Sequence, residues 1–165
     1  MASHLRRILL SAGPAPALNH LKEYIAQLAS SPCYLTFCSP TSILILEKDF
    51  KAASPRTSNE FLAVTNHDHG FESQSVGRDA WRDMLNRGLP ALHDFLNDSM
   101  ERKQLIHQLW QQSNPQILNV SQVKQWLGRV PLRNESTHFA CIMDPGVEGG
   151  GLTWVQQFRG PFENW

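Results

Sequence analysis

Cys33-Tyr34-Leu35-Thr36-Phe37-Cys38-Ser39-Pro40-Thr41-Ser42-Ile43-Leu44-Ile45-Leu46-Glu47 is the stretch that decides the fold. Two short runs of aliphatic, aromatic and β-branched residues, Cys33 to Cys38 and Thr41 to Glu47, flank the pair Ser39-Pro40. Proline cannot continue a hydrogen-bonded ladder and serine favours a turn, so the two runs predict a β-hairpin. A hairpin joins antiparallel strands. Upstream, Leu18, Leu21, Ile25 and Leu28 recur at helical spacing between Ala17 and Leu28, which predicts an amphipathic helix closed by Ser30-Ser31-Pro32.

Downstream of the hairpin, Lys48 to Glu60 is polar and reads as a connection, and Phe61 to Asn66 reads as a third strand. Gly70 to Gly77 reads as a loop. A helical pattern from Arg78 to Leu85 is interrupted by Gly88 and Pro90. Asn97-Asp98-Ser99 offers an N-cap for a helix running to about Gln112, stopped by Ser113-Asn114-Pro115. Ser121 is expected to cap a short helix through Trp126-Leu127, closed by Gly128. Two strands, Ser136 to Met143 and Leu152 to Arg159, end the chain. Antiparallel runs of strands with helices between them predict an α+β fold, expected as a single domain over residues 1–165.

Composition narrows the function classes. Fifteen basic residues balance fifteen acidic ones, so no field gathers nucleic acid or an anionic membrane, and no nucleic-acid partner is expected. No apolar run approaches the roughly 18 residues a transmembrane helix requires. After its basic start the N-terminus offers only Ile8-Leu9-Leu10, short of the roughly 7–15 residues of a signal-peptide core. Read alone, that start is cytosolic in character, and the compartment stays open. Cys33, Cys38 and Cys141 lie in apolar runs and show no disulfide framework.

Polar clusters at strand ends carry the candidate chemistry. Thr65-Asn66-His67-Asp68-His69 follows Phe61-Leu62-Ala63-Val64, and Arg133-Asn134 precedes the strand that begins near Ser136. On a strand His67 and His69 would share a face, as zinc ligands do, but no further ligand motif accompanies them, so no metal is expected. No G-x-S-x-G elbow is present. Alternation puts Cys141 on one face with Phe139 and Met143, which reads as core packing. Asn134 has two readings. It closes the turn before the strand, or its side-chain N–H stabilises an oxyanion. Asp68 likewise orients a cation or caps a turn, and Glu101-Arg102-Lys103 reads as a solvated helix face. Asn97-Asp98-Ser99, Asn119-Val120-Ser121 and Asn134-Glu135-Ser136 match the N-glycosylation triplet.

Taken in order, these segments resemble the acid ceramidase and N-acylethanolamine acid amidase group of N-terminal-nucleophile hydrolases. Phe61 to Asp68 is similar to that family's strand ending in Thr-Asn-x-Asp, and Glu101-Arg102-Lys103 to its acidic-arginine-arginine run opening a helix. Pro131 to Phe139 is similar to its Asn-x-x-Thr-x-Tyr segment, with Asn134 at the asparagine and Phe139 at the aromatic position, and Ile142-Met143-Asp144-Pro145 continues the likeness. The resemblance spans residues 17 to 159.

The resemblance implies an αββα sandwich, of which this chain supplies part, and hydrolysis of a fatty-acyl amide such as a ceramide or N-acylethanolamine. It implies Asn134 in the oxyanion hole, Asn66 and Asp68 shaping the site, and Arg102, Arg133 and Arg159 in structural or substrate-facing roles. It implies no cofactor and a lysosomal or secretory setting. The family's nucleophile is a cysteine freed as a new N-terminus well upstream of the Thr-Asn-x-Asp strand. Cys33 and Cys38 instead fall on the hairpin just before it. The chain is therefore expected to be the C-terminal portion of such an enzyme, partnered by the missing N-terminal half, or a degenerate paralogue acting as a binding module.

Overall fold

The computed structural model describes residues 18–72, 79, 82–147 and 151–158. They form an α+β structure in which every strand pairing is antiparallel. The chain divides into two compact units, Met1–Leu62 and Ala63–Trp165.

The first unit contains α1 (Leu18–Gln27), β1 (Cys33–Cys38), β2 (Ile43–Lys48) and β3 (Ala53–Ser58), with sheet order β1-β2-β3. The predicted hairpin is β1–β2, in the register Leu35↔Leu46 and Phe37↔Leu44. Its turn is held by the Ser39 hydroxyl oxygen, which accepts from the Ser42 backbone N–H at 3.0 Å. Leu44 and Leu46 point to the face that meets Leu21 and Ile25 of α1, and Leu35 and Phe37 pack beside them. Leu21 and Ile25 are one helical turn apart, so one helix stripe covers one sheet face. Each such fully buried aliphatic side chain contributes roughly 1.5–3 kcal/mol.

The third strand is Ala53–Ser58, not Phe61 to Asn66. Ala-Ser-Pro-Arg-Thr-Ser has no apolar alternation, because it is an edge strand that pairs with β2 alone. Pro55 is tolerated there, where one side of the strand needs no ladder donor. Arg56 adds a charge pair with Glu47 of β2 at 2.8 Å. The β2–β3 turn closes on Lys48, whose buried ammonium donates to the carbonyl oxygens of Asp49, Phe50 and Ala52. Phe61 to Val64 belongs to no strand, and Thr65↔His67 forms an isolated bridge. The Ser58 hydroxyl oxygen accepts from the backbone N–H of Glu60 and of Phe61, which turns the chain before a ladder can form.

The second unit contains a 3-10 turn at His69–Glu72, helical residues at 82–86, α2 (Pro90–Gln112), α3 (Val120–Leu127), β4 (Phe139–Asp144) and β5 (Gly151–Gln157). Gly88 takes φ 66°, the left-handed conformation that ends a helix, and Pro90 starts the next within its first turn. The interruption expected at these two residues is thus an end and a new beginning. As a result α2 runs for 23 residues, and Asn97-Asp98-Ser99 lies inside it rather than capping it. Asp98 instead pairs with Arg102 one turn on, and Ser99 is buried without exposed surface. α3 is capped by Asn119, two positions before the expected Ser121. The Asn119 side chain accepts from the Gln122 N–H, and the Gln122 side chain accepts from the Asn119 N–H.

β4 and β5 pair from Phe139↔Gln157 to Asp144↔Gly151, with a register shift between Ile142 and Met143. Phe158 continues the pairing by donating its N–H to the His138 carbonyl at 2.8 Å. The expected packed face of β4 is the open one: Phe139 is 62% exposed and Met143 68%. Ile142 and its partner Trp154 are half-buried, and Lys124 of α3 stands 5.3 Å from the Trp154 ring. The hairpin thus turns that other face toward α3. Among the described residues no helix is long and apolar enough to cross a membrane.

Candidate functional site

Asn134 sits in the turn that leads to β4. Its side-chain Oδ1 accepts from the Ser136 N–H and the Thr137 hydroxyl, each at 3.1 Å, and its own N–H donates to Thr137 Oγ1 at 3.0 Å. A backbone bond from Thr137 N–H to the Asn134 carbonyl closes the same turn. Because a backbone N–H can only donate, the Ser136 contact fixes which end of the carboxamide is oxygen. The Nδ2 end remains a two-proton donor on a side chain whose rotamer is locked. The turn-closing role and the donor role therefore use different atoms of one group.

Asn134 lines a cleft of about 560 Å³ within the second unit, together with Asn66, Asp98, Arg102 and Thr137. Phe95 supplies an apolar wall and Asp94 and Glu135 further carboxylates. Three separate segments converge here: the bend after Thr65, the middle of α2, and the turn before β4. Arg102 Nη2 lies 3.1 Å from Asp98 Oδ2, and its Nε donates to the Asp98 carbonyl at 3.3 Å, so the guanidinium is held along the helix. A second cleft of about 450 Å³ shares Asn134, Glu135 and Thr137 and is completed by Arg133, Val130 and Phe158. There the Arg133 guanidinium stacks 4.3 Å above the Phe158 ring. Asn134 thus stands on the partition between a polar cleft and a partly apolar one.

The other expected site residues are placed differently. Asp68 lines neither cleft, and its carbonyl accepts from the Phe71 N–H at 2.9 Å to start the 3-10 turn. Arg159 lies outside the described residues. No cysteine lines either cleft.

His67 and His69 part company. His69 is exposed and reaches Glu72 at 3.2 Å. His67 is buried, with Nδ1 2.9 Å from Ser99 Oγ and 3.2 Å from Thr65 Oγ1, and Nε2 3.3 Å from Glu72 Oε1. Glu72 also takes an ion pair from Lys103 of α2. Burial raises the Glu72 pKa, but the hydrogen bond and charge of Lys103, followed by those of His69, outweigh it and hold the carboxyl below its ordinary value. Among the described residues no group of three or more His, Cys, Asp or Glu side chains is arranged to hold a metal ion.

Ser99, His67 and Glu72 stand in the order of a hydrolytic triad, but Ser99 is fully buried in mid-helix, where a substrate carbonyl has no approach. The network instead ties the Thr65–Glu72 segment to α2. Its sequence signal was the i, i+4 repeat of Asp98/Arg102 and Ser99/Lys103, which sets two adjacent stripes on one helix.

Comparison with protein-family models, with curated proteins and with solved structures finds no match to this chain.

Proposed function

We propose that this chain is the C-terminal portion of a fatty-acyl amide hydrolase similar to acid ceramidase, within an αββα sandwich completed by a segment outside this sequence. The observation that supports the reading is the convergence of Asn66, Arg102 and Asn134, drawn from three separate segments, on one cleft. In the reaction, an N-terminal cysteine delivered by the other segment attacks the amide carbonyl. Its α-amine, with an unperturbed pKa of about 8, accepts the thiol proton and passes it to the departing amine. The carbonyl oxygen becomes an oxyanion, and the Asn134 Nδ2–H donates to it. Water then cleaves the thioester to release the fatty acid. One such donor is worth about 10²–10³ in kcat.

The test is to supply a cysteine-bearing N-terminal segment and assay an N-acyl amide. Asn134→Ala should lower kcat by about 10²–10³ with little change in KM. A wild-type kcat in that variant overturns the assignment. The chain by itself should not turn over; substantial activity abolished by Cys33→Ala or Cys38→Ala would defeat the proposal from the other side.

A second reading, a non-catalytic interaction module, draws on the open apolar face of β4–β5 formed by Phe139, Met143, Leu152 and Val155. A stable species of 18.7 kDa that unfolds cooperatively, and that gains no activity from any added segment, would favour it.

A further inference from the structure

We infer that His67 is a positioning residue for the cleft: it pins the bend that carries Asn66 to the two turns of α2 that carry Asp98 and Arg102. The inference deepens the hydrolase reading and rests on it for its functional meaning. The geometry is a matched pair of stripes. Asp98 and Arg102 line the cleft with Asn66, and the next residue after each, Ser99 and Lys103, faces the His67–Glu72 network. Asn66 lies between Thr65 and His67, the two residues of the isolated bridge, so anchoring the His67 ring constrains the backbone that carries Asn66.

His67 is only 4% exposed and Ser99 not exposed at all. Nε2 lies 3.3 Å from Glu72 Oε1, and on the other side of the ring Nδ1 shares a hydrogen bond of 2.9 Å with the Ser99 hydroxyl. Burial of both partners makes this bond costly to break, since either group would be left without water. Lys103 and Glu72 fasten the far end of the same segment. Asn66, exposed on a bend and without regular secondary structure, has no other such anchor of its own among the described residues.

Two isosteres separate positioning from packing. An asparagine at 67 places a polar atom where Nδ1 stands and retains the Ser99 contact. A glutamine reaches toward the Nε2 position and retains Glu72 instead. Hydrogen–deuterium exchange of the full 165-residue chain reads the result at residues 65–68, with α2 as the internal control. His67→Gln should raise exchange in the bend at least about tenfold while the centre of α2 stays within about twofold. His67→Asn should stay near wild type. Ser99→Ala, which substitutes a better helix former, should reproduce the glutamine result and keeps the test available if a His67 variant does not fold.

Equal loosening by both His67 variants, loosening by neither, or loosening by asparagine alone would each overturn the inference. So would wild-type exchange in Ser99→Ala. These outcomes need no turnover, so loss of the hydrolase reading in the Asn134→Ala assay and loss of this inference are separate results.

Discussion

At Asn134 one carboxamide divides its labour between a turn and a cleft, and substitutions pull the two apart. Asn134→Ala removes the acceptor of both the Ser136 N–H and the Thr137 hydroxyl, and should lower stability by about 1 kcal/mol. Asn134→Asp keeps that acceptor and should leave the unfolding temperature near wild type, while replacing the N–H donor with an anion. In an assembled hydrolase the aspartate variant should therefore be the less active of the two despite being the more stable. Thermal unfolding and turnover measured on both variants check the crossed order. The turn role was readable from Asn134 and its place before a strand. The identity of the free end was not, because it depends on which atoms Ser136 and Thr137 engage.

Glu72 makes a second residue-scale prediction. Its carboxyl is held below the ordinary value, so it contributes stability that is complete above about pH 4.5 and is lost as pH falls through the lowered folded value. Glu72→Gln should therefore be less stable than wild type at neutral pH, and the gap between their unfolding temperatures should close as the pH falls through that lowered value. A gap that widened on acidification would contradict the sign.

Among the elements, α3 tests its own boundary. Asn119→Ala should cost about 1 kcal/mol, in the range 0.5–2, whereas Ser121→Ala inside the first turn should cost little. Urea unfolding of the two variants decides which residue is the cap. α1, the β1–β2 hairpin and the β4–β5 pair were legible because their apolar residues recur at helical or strand spacing. β3 was not, since Ala53–Ser58 becomes a strand only by occupying the open edge of β2, a tertiary cause that leaves no periodic mark. The start of α2 was hidden for a different reason. Gly88 and Pro90 read as one interruption, and Asn97-Asp98-Ser99 has the composition of a cap although its polar groups are used sideways, on Arg102 and His67. Of the candidate site, the residue types at Asn66, Arg102 and Asn134 were visible in sequence. Their meeting depends on how three segments far apart in the chain pack together, which no local pattern carries.

For the whole molecule, the open face of β4–β5 governs behaviour in solution. Phe139, Met143, Leu152 and Val155 each leave around half or more of their surface to solvent, which favours association through apolar contact. Phe139→Lys should raise the concentration at which the chain associates, read by sedimentation velocity, and should shift stability by no more than about 0.5 kcal/mol. If this face is instead covered by the segment proposed to bring the nucleophile, the same substitution should block assembly and with it activity.

Lys48 carries one consequence of another kind. Its ammonium is enclosed by the three carbonyl oxygens of the β2–β3 turn, and Lys103 is enclosed by its pairing with Glu72. Both amines must open out before any acylating reagent can reach them, while Lys51 and Lys124 stand nearer to water. Time-resolved amine labelling read by mass spectrometry should therefore modify Lys48 and Lys103 last, at the rates at which the β2–β3 turn and the Lys103–Glu72 contact open. The two lysines act as chemical clocks, one in each compact unit, that report how often each unit opens.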